Sequence, residues 1–517
     1  MRSPWSVVVI SCCIGIVLLV SCGDSTDPTQ EAEIDGTWTG TWQSSVFTQS
    51  GQFFATLLRQ ETSLGGKITI PGIGMQNADV QGSIHGNSVT FGDIAGRIEF
   101  SGTIDDNAGS GTYVYPEEGD HGSWEAERAD GSADGSNGEL DLSFGLGGIV
   151  VSDVRCEVQD LATLPDGKIL VAGNGLDLYS TKGDFMVIRY TAEGALDASF
   201  GANGIASVSI DGSSAHGTNF AVGPSGMISL SGKTLQDQAM VRFQQDGALD
   251  DAFGVGGILI TDLDTSGGEN PLGVLLSGTL IVAGTKDGHL IVSAYDSTGE
   301  PEESFGGDGS VTIDLGLAFE VADLCVLPDQ RIVVAGSADR AAWVVRFTAE
   351  GVVDSTFGAH GTAMIDMGDE FVVAKIVDQP DGRLVMTGFA GDMFSPVFVM
   401  LRLATDGSLD GAFGSAGLVH EPDAGQIALF EKVGFPAVQA DGKIVVASVG
   451  NMIFSLYRYT ENGSRDMEFG TMGIVTTDLG STGGWDHARA VCIQPNGRIV
   501  AAGCAGSAET ALARYWP

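Results

Sequence analysis

The stretch LDASFGANG, Leu196 to Gly204, decides how this sequence folds, because copies of it recur along the chain. Close copies are LDLSFGLGG, LDDAFGVGG, VDSTFGAHG and LDGAFGSAG, and looser ones are PEESFGGDG and SRDMEFGTMG. The phenylalanines of the seven copies lie 52 to 56 residues apart, at Phe144, Phe200, Phe253, Phe305, Phe357, Phe413 and Phe469. A fixed period of this length predicts a repeat architecture.

Each copy belongs to a unit with four short apolar segments. A segment such as GIVVSD or GILITD follows the motif, then comes a hairpin such as LATLPDGKILVAG, and a segment such as FMVIRYT closes the unit. Asp-Gly between two apolar segments supplies the positive φ of a tight hairpin turn. Four strands per unit, repeated seven times, predict an all-β fold with a seven-bladed β-propeller over residues 139–517.

The two ends of the repeat region complement each other. The first copy, LDLSFGLGGIVVSD, has no RY segment before it, and ALARYWP has no SFG motif after it. We therefore expect the strand Ile149–Asp153 to pair with the strand that contains Arg514. Asp141 should then lie beside Arg514, completing the ring.

Charged residues recur with the repeat. Arginine occupies the last segment of six units, and an aspartate precedes the motif phenylalanine by three positions in six copies. The arginines are Arg189, Arg242, Arg346, Arg402, Arg458 and Arg514, and the aspartates are Asp141, Asp197, Asp250, Asp354, Asp410 and Asp466. The pattern allows a basic face or a catalytic acid, but it favours a scaffold ion pair, because an active site needs asymmetry.

The repeat resembles the delta-60 repeat family of bacterial surface and secreted proteins. The resemblance covers about residues 140 to 517 and is carried by PDGKI, VAG, the RY segment and LDxSFG in fixed order. It implies a propeller and brings no catalytic residues with it. The rhythm also resembles NHL repeats, which implies that the strand before PDG is the innermost one. The third hairpin departs most, with LLSGTL in place of the PDG turn.

The N-terminus has the pattern of an export signal. Arg2 supplies positive charge, an apolar run follows from Val7 to Val20, and LVSC ends at Cys22. This resembles a bacterial lipoprotein signal, which implies a signal peptide over residues 1–21, acylation (palmitate) of Cys22 and a tether over residues 22–33. The alternative is an ordinary secretory signal. The expected location is the bacterial cell envelope, anchored by lipid to a membrane, at the outer membrane or the cell surface.

Residues 34–129 lack the repeat and alternate between apolar and polar positions. Segments such as GTWTGTW, DVQGSI, RIEFSGTI and GSWEAER predict antiparallel strands with one buried face. About eight strands in this length predict a small antiparallel β-barrel. The opening GTWTGTW and closing GSWEAER resemble lipocalin-like domains of bacterial lipoproteins. A linker over residues 130–138 separates this domain from the repeats.

Composition excludes one class of partner. With 25 Lys and Arg against 67 Asp and Glu, the net charge of −42 disfavours nucleic-acid binding. The sequence contains no GxSxG, HExxH or P-loop motif, so it predicts no catalytic residue and no organic cofactor.

The alternation of Asp262, Asp264 and Ser266 resembles the start of a calcium loop, but Gly273 stands where a bidentate glutamate is needed. A solvated acidic turn is the alternative to calcium there.

Loops of variable length locate the expected binding face. The PDG hairpin and the connector from RY to SFG share one face and keep fixed lengths, whereas the loops of the opposite face vary. Recognition is expected on the variable loops. The candidate residues there are Asp177, Tyr179, Lys182, Asp184, Asp392, Phe394, Trp485, Asp486 and His487.

Two function classes remain open from sequence. The first is a lipid-anchored, non-catalytic propeller that binds a glycan, a peptide or an envelope partner. The second is an enzyme that cleaves extracellular glycans, a hydrolase or lyase, with acids drawn from several blades. The missing local catalytic motifs favour binding.

Overall fold

A computed structural model describes most of the chain from residue 36 onward. The described residues are 36–46, 50–60, 62–70, 75–94, 96–104, 108–116, 119–128, 137–176, 183–210, 216–234, 237–263, 270–368, 370–391, 397–421, 435–448, 453–479, 486–506 and 509–517. They form an all-β structure of strands joined by turns. Over these same ranges, the structure contains no helix with the length and apolarity needed to cross a membrane.

The N-terminal strands form a closed barrel in sequence order. They are β1 (Gly36–Ser44), β2 (Ser50–Gln60), β3 (Ser63–Ile70), β4 (Met75–His85), β5 (Ser88–Asp93), β6 (Glu99–Ile104), β7 (Ala108–Tyr115) and β8 (Asp120–Arg128). The barrel closes where β1 pairs antiparallel with β8 as well as with β2. Its interior is filled by apolar side chains: the Trp124 ring lies 5.9 Å from Phe91 and 6.1 Å from Phe100, centroid to centroid.

Five separate four-stranded antiparallel sheets follow from the repeat. They consist of β13 (His216–Val222), β14 (Ile228–Lys233), β15 (Gln238–Phe243) and β16 (Ile258–Thr261); β17 (Leu272–Val274), β18 (Leu280–Lys286), β19 (His289–Tyr295) and β20 (Ser310–Ile313); β21 (Glu320–Val326), β22 (Ile332–Ala338), β23 (Ala341–Phe347) and β24 (Thr362–Asp366); β25 (Phe371–Asp378), β26 (Leu384–Ala390), β27 (Val397–Leu403) and β28 (Leu418–Glu421); and β29 (Pro436–Val438), β30 (Ile444–Ser448), β31 (Phe454–Tyr459) and β32 (Ile474–Thr477). In each sheet, neighbouring strands are consecutive in sequence.

The remaining strands form one seven-stranded sheet in the order β12-β11-β10-β9-β35-β34-β33. They are β9 (Ile149–Thr163), β10 (Ile169–Leu176), β11 (Gly183–Tyr190), β12 (Ile205–Val208), β33 (His487–Ile493), β34 (Ile499–Ala505) and β35 (Glu509–Tyr515). The prediction of seven blades is therefore wrong as a count of separate sheets. The reason is β9, whose 15 residues pair with β10 through the C-terminal part and with β35 through the N-terminal part.

The predicted closure of the ring is confirmed. Ile149 pairs with Ala513, and the register continues as far as Ser152 with Thr510, beyond which it shifts before Arg155 pairs with Glu509. Asp141 lies beside Arg514, with 3.0 Å between the carboxylate and the guanidinium Nε. The first segment of the repeat region therefore hydrogen-bonds to the last.

The junction between the two ends of the repeat region, here called the seam, completes a turn that is covalently continuous in the other units. In the turn from Thr191 to Ala195, the Thr191 N–H donates to Ala195 O, and the Gly194 N–H donates to Thr191 O. At the seam, the Trp516 N–H donates to Glu139 O, and the Gly138 N–H donates to Trp516 O. The two segments therefore form one turn of the repeat without a peptide bond between them.

Packing explains why the motif phenylalanine recurs together with a glycine in the connector of the next unit. At each such glycine φ lies between 80° and 90°, and an added Cβ would come within 2.8 to 3.3 Å of the phenylalanine ring of the preceding motif. The pairs are Phe144 with Gly194, Phe200 with Gly247, Phe253 with Gly299, Phe305 with Gly351, Phe357 with Gly407, Phe413 with Gly463 and Phe469 with Gly138. Each motif therefore wedges against the following unit.

Replacing Gly138 with Ala should destabilise the protein more than the same change at Gly497. Both positions have positive φ, at 84° and 86°, so both pay about 1 kcal/mol of backbone strain. The new Cβ at position 138 would also meet Val475 at 2.7 Å and Phe469 at 3.0 Å, whereas nothing lies within 4 Å at position 497. Overpacking should add about 1–3 kcal/mol to the loss in free energy of unfolding, measured in urea. Equal losses in the two variants would contradict the described seam.

Candidate functional site

The recurring arginines are buried ion-pair partners of the recurring aspartates. Nitrogen and carboxylate oxygen are 2.6 to 3.0 Å apart in six pairs, and each guanidinium carbon lies 4.2 to 4.8 Å from the centroid of the motif phenylalanine. The pairs are Arg189–Asp197, Arg242–Asp250, Arg346–Asp354, Arg402–Asp410, Arg458–Asp466 and Arg514–Asp141. The expectation of a scaffold ion pair is confirmed.

Most of these arginines also reach the neighbouring sheet. Arg189 Nη1 donates to Gln245 O at 2.6 Å, in the connector of the following unit. The same contact joins Arg242 to Ser297 O, Arg346 to Thr405 O, Arg402 to Glu461 O and Arg514 to Ala192 O. The guanidinium group therefore fixes the position of one sheet against the next.

A second cation, from the hairpin turn, approaches five of the aspartates. The distances are 2.9 to 3.4 Å for Lys168–Asp197, Arg331–Asp354, Arg383–Asp410, Lys443–Asp466 and Arg498–Asp141. At Asp354, hydrogen bonds from the Thr356 side chain and backbone, together with the charge of Arg346, lower the carboxyl pKa to about 2. Such a carboxylate stays ionised at neutral pH and is unsuited to act as a general acid.

Side chains from four sheets meet at Lys375 of β25. Its ammonium group lies 3.3 Å from Asp160 of β9, 3.3 Å from Asp323 of β21 and 3.4 Å from Asn219 Oδ1 of β13. The Phe435 ring centroid is 4.9 Å from the same nitrogen. These residues occupy equivalent positions, five residues before the hairpin proline or its counterpart. Their convergence shows that these strands face the centre of the ring.

Burial and charge oppose each other in this central cluster. Burial would lower the pKa of Lys375, but the carboxylates of Asp160 and Asp323 outweigh it and raise the pKa above its ordinary value. Burial raises the pKa of Asp323, and the ammonium group of Lys375 offsets only part of that increase. Lys375 therefore remains charged and holds the two carboxylates together.

A small cavity lies between the sheet β13–β16 and the sheet β17–β20. Its volume is about 170 Å³, and its polar lining comes from Arg242, Ser225, Ser229, Ser277 and Ser297. Gly223 and Gly278 approach it from the two hairpin turns, and Met227, Val274 and Leu280 supply apolar surface. The cavity is on the hairpin face of the ring, opposite the variable loops.

Most residues predicted from the sequence to form a site lie outside the described residues. These are Cys22, Asp177, Tyr179, Lys182, Asp264, Ser266, Asp392, Phe394 and Trp485. Asp184 accepts a hydrogen bond from Ser209, and buried Asp486 accepts one from the Gly506 N–H at 3.0 Å. His487 begins β33, and Asp262 pairs with Lys286 of β18. In the described segments, no group of three or more His, Cys, Asp or Glu residues could hold a metal ion.

Sequence reasoning missed the central cluster and the cavity. Lys375 is a single departure in a position that varies between copies, so only the folded ring shows that it meets Asp160 and Asp323. Gly223 and Met227 do stand out when the hairpins are aligned, since other copies have leucine or glutamine at the first position and usually lysine or arginine at the second. That signal could have pointed to the second hairpin.

Replacing Lys375 with Met should cost about 3–5 kcal/mol in free energy of unfolding at pH 7, because buried Asp323 and half-buried Asp160 lose their counter-charge. The change should raise the pKa of Asp323 further above its unfolded value of 3.8. A carboxyl with a raised folded pKa loses stability as the pH rises through that pKa, so the deficit should grow from pH 4 to pH 7. Urea unfolding across this range measures it. The double variant Lys375→Met, Asp323→Asn should recover part of the loss, and an undiminished deficit would refute the cluster.

One protein-family model matches part of the repeat region. A family model described as a domain of unknown function (DUF5122) beta-propeller matches residues 164–200, 327–357, 379–413 and 439–469. No curated protein matches the chain. Each of these four matched segments runs from the hairpin turn to the motif phenylalanine of the same unit.

Solved structures with a similar arrangement are distant in sequence. A protein from Lactobacillus plantarum is 13% identical over 65% of this chain and 88% of its own, with a TM-score of 0.40. The Dos1 propeller is 10% identical over 88% and 90%, with a TM-score of 0.38. A NanB sialidase variant from Streptococcus pneumoniae is 11% identical over 94% and 95%, with a TM-score of 0.38. The family match and the arrangement of the sheets support a β-propeller fold for the repeat region.

Proposed function

We propose that this chain is a lipid-anchored protein of the bacterial cell envelope whose propeller binds a ligand without transforming it. The ligand class covers glycans, peptides and envelope partners. The observation that carries the proposal is the cavity beside Arg242, which combines hydroxyl and guanidinium groups with an apolar wall. A small concave site with a few convergent polar groups is typical of ligand recognition.

The chemistry of that cavity favours binding over catalysis. Its nearest acid, Asp250, is 2.6 Å from Arg242 Nη2 and is held in the ion pair. The lining contains no pair of carboxyl groups, which glycoside cleavage requires. The lining serines have no histidine or lysine among the other lining residues to activate them.

A second candidate function, glycan cleavage by acids from several sheets, is favoured by one observation. Asp160 and Asp323 come from different sheets and converge on Lys375. Against this reading, both carboxylates share that one ammonium group, and Asp323 is only 5% exposed. We therefore rank it second.

For the ring itself, we propose seven blades that share strands through β9. In this reading, β9 serves as the inner strand of one blade through Cys156–Thr163 and as the outer strand of another through Ile149–Arg155. The seven phenylalanine–glycine contacts support this count. For the N-terminal barrel over residues 34–129, we propose a lipocalin-like domain beside the tether.

The anchor proposal predicts that Cys22→Ser releases the protein from the membrane. The LVSC sequence provides the acylation site, and the apolar run before it is too short to be a comfortable membrane span. After phase separation in detergent, the native chain should enter the detergent phase and the variant the aqueous phase. Cys156→Ser provides the control, because that thiol is buried inside the propeller. A variant that stays in the detergent phase would refute lipid anchoring.

The binding proposal predicts retention without turnover on a glycan, peptidoglycan and peptide array. The full chain should bind at least one class, while the supernatant gains no cleaved product on prolonged incubation. Mass spectrometry of the supernatant measures release. Product that accumulates with time would favour the glycan-cleaving alternative, and Lys375→Met would then be the variant to abolish it. The absence of both binding and release would refute both functions.

A further inference from the structure

The cavity between the second and third hairpins exists because two scaffold side chains are missing there. Between the fifth and sixth hairpins, Gln379 extends from the position before the hairpin proline and donates to Gly442 O of the next turn at 3.0 Å. Gln494 donates in the same way to Gly167 O at 2.8 Å. The equivalent residue in the second hairpin is Gly223, so nothing reaches across to Gly278.

The second missing group would have engaged Arg242. In three other units the corresponding guanidinium donates to a hydroxyl: Arg189 to Ser199, Arg346 to Thr356 and Arg514 to Ser143. The equivalent of that hydroxyl beside Arg242 is Ala252. Arg242 uses Nε for Asp250 and Nη2 for Ser297 O. Among the residues that the structure describes, Nη1 of this 7% exposed arginine has no hydrogen-bond partner.

The net charge of the cavity argues against an anion. Asp250 already neutralises Arg242, and the hairpin cation that other units place beside this aspartate is replaced by Met227. An anionic ligand would lie close to the Asp250 carboxylate on a chain with a net charge of −42. A cation would meet the Arg242 guanidinium instead. The site therefore fits a neutral ligand.

The other residues that line the cavity indicate the shape of that ligand. The four lining serines carry hydroxyls, which can both donate and accept hydrogen bonds, and the arginine adds a donor. The Ser277 hydroxyl already bonds to the Thr279 hydroxyl at 2.8 Å and keeps capacity for one more partner. Met227, Val274 and Leu280 offer an apolar face of the kind that stacks on C–H groups. At about 170 Å³ the cavity is smaller than the roughly 300 Å³ at which sites for drug-sized ligands begin. A single ring that carries hydroxyls at its edge and C–H groups on its faces matches these features.

We propose that this cavity binds one neutral sugar ring, either free or as a residue of a glycan chain. The proposal rests on the proposed binding function and deepens it by naming the ligand class and the site. Arg242 Nη1 donates to a ring hydroxyl, the serines from the two hairpins hold further hydroxyls, and the apolar wall covers one face of the ring.

Titration calorimetry of the full chain with methyl glucoside, methyl galactoside, methyl mannoside and N-acetylglucosamine tests the proposal. At least one sugar should bind, with a Kd of about 1 mM or tighter. Gly223→Leu places in the cavity the residue that the first, third and fourth hairpins have, and should weaken binding at least tenfold. The added Cβ meets only Val274 at 3.3 Å and Met227 O at 3.8 Å, so the melting temperature should hold.

A subtler variant and a matched control separate binding from folding. Ala252→Ser restores the hydroxyl beside Arg242 without filling the cavity, and should weaken sugar binding about three- to tenfold. Ala412→Ser makes the identical change beside Arg402, far from the cavity, and should leave binding unchanged. If Gly223→Leu fails to fold, Ala252→Ser still decides the outcome.

Several results would overturn the inference. One is that none of the four sugars binds, another is that Gly223→Leu and Ala252→Ser bind normally, and a third is that phosphate or acetate competes. Loss of binding in Tyr179→Ala or Trp485→Ala, with Gly223→Leu unaffected, would place the site on the variable-loop face. Peptide binding without sugar binding would refute the sugar and leave the binding function intact, whereas product release would refute the binding function itself.

Discussion

The ring depends on a buried guanidinium group that contacts three things at once. Arg346, for example, pairs with Asp354 at 2.8 Å, lies 4.4 Å from the Phe357 ring centroid and donates to Thr405 O of the next sheet. A buried arginine is costly unless its charge and its donors are satisfied. Here the aspartate supplies the opposite charge, the phenylalanine ring supplies the negative face of its quadrupole, and the neighbouring sheet supplies a carbonyl acceptor. Removing one sheet would therefore leave a charged group of the preceding sheet without its acceptor.

Two units that depart from this pattern are neighbours in the ring. The third unit has fully buried Ala294 instead of arginine, and its acid, Glu302, accepts a hydrogen bond from Ser304 within its own turn. The adjacent unit keeps Arg242 but lacks both side chains that seal it elsewhere. Two neighbouring sheets have thus lost scaffold contacts that the others retain, and the cavity lies between those two sheets. The proposed binding cavity therefore lies where the repeat has lost scaffold contacts.

The sequence alone could predict the features that recur, because seven copies act as an internal comparison. The strands, the Arg–Asp pairs and the pairing of Ile149 with the Arg514 strand all follow from the period. The number of separate sheets could not be predicted, since nothing between Asp153 and Cys156 signals that β9 runs without a break from one pairing partner to the other. Lys375 was equally hidden: its role comes from residues more than fifty positions away in sequence that only the closed ring assembles.

The turn formed by Gly138 and Trp516 means that the repeat read along the sequence and the folded sheet begin at different points of the unit. The hydrogen bonds of this turn also occur in six covalently continuous connectors, for instance between Thr460 and Ser464. In its hydrogen bonds, the turn at the seam is therefore equivalent to each of those connectors. A circular permutation that joins the present seam with a short bridge and opens another connector should keep the hydrogen bonds of both turns, because these bonds form at the seam without a peptide bond.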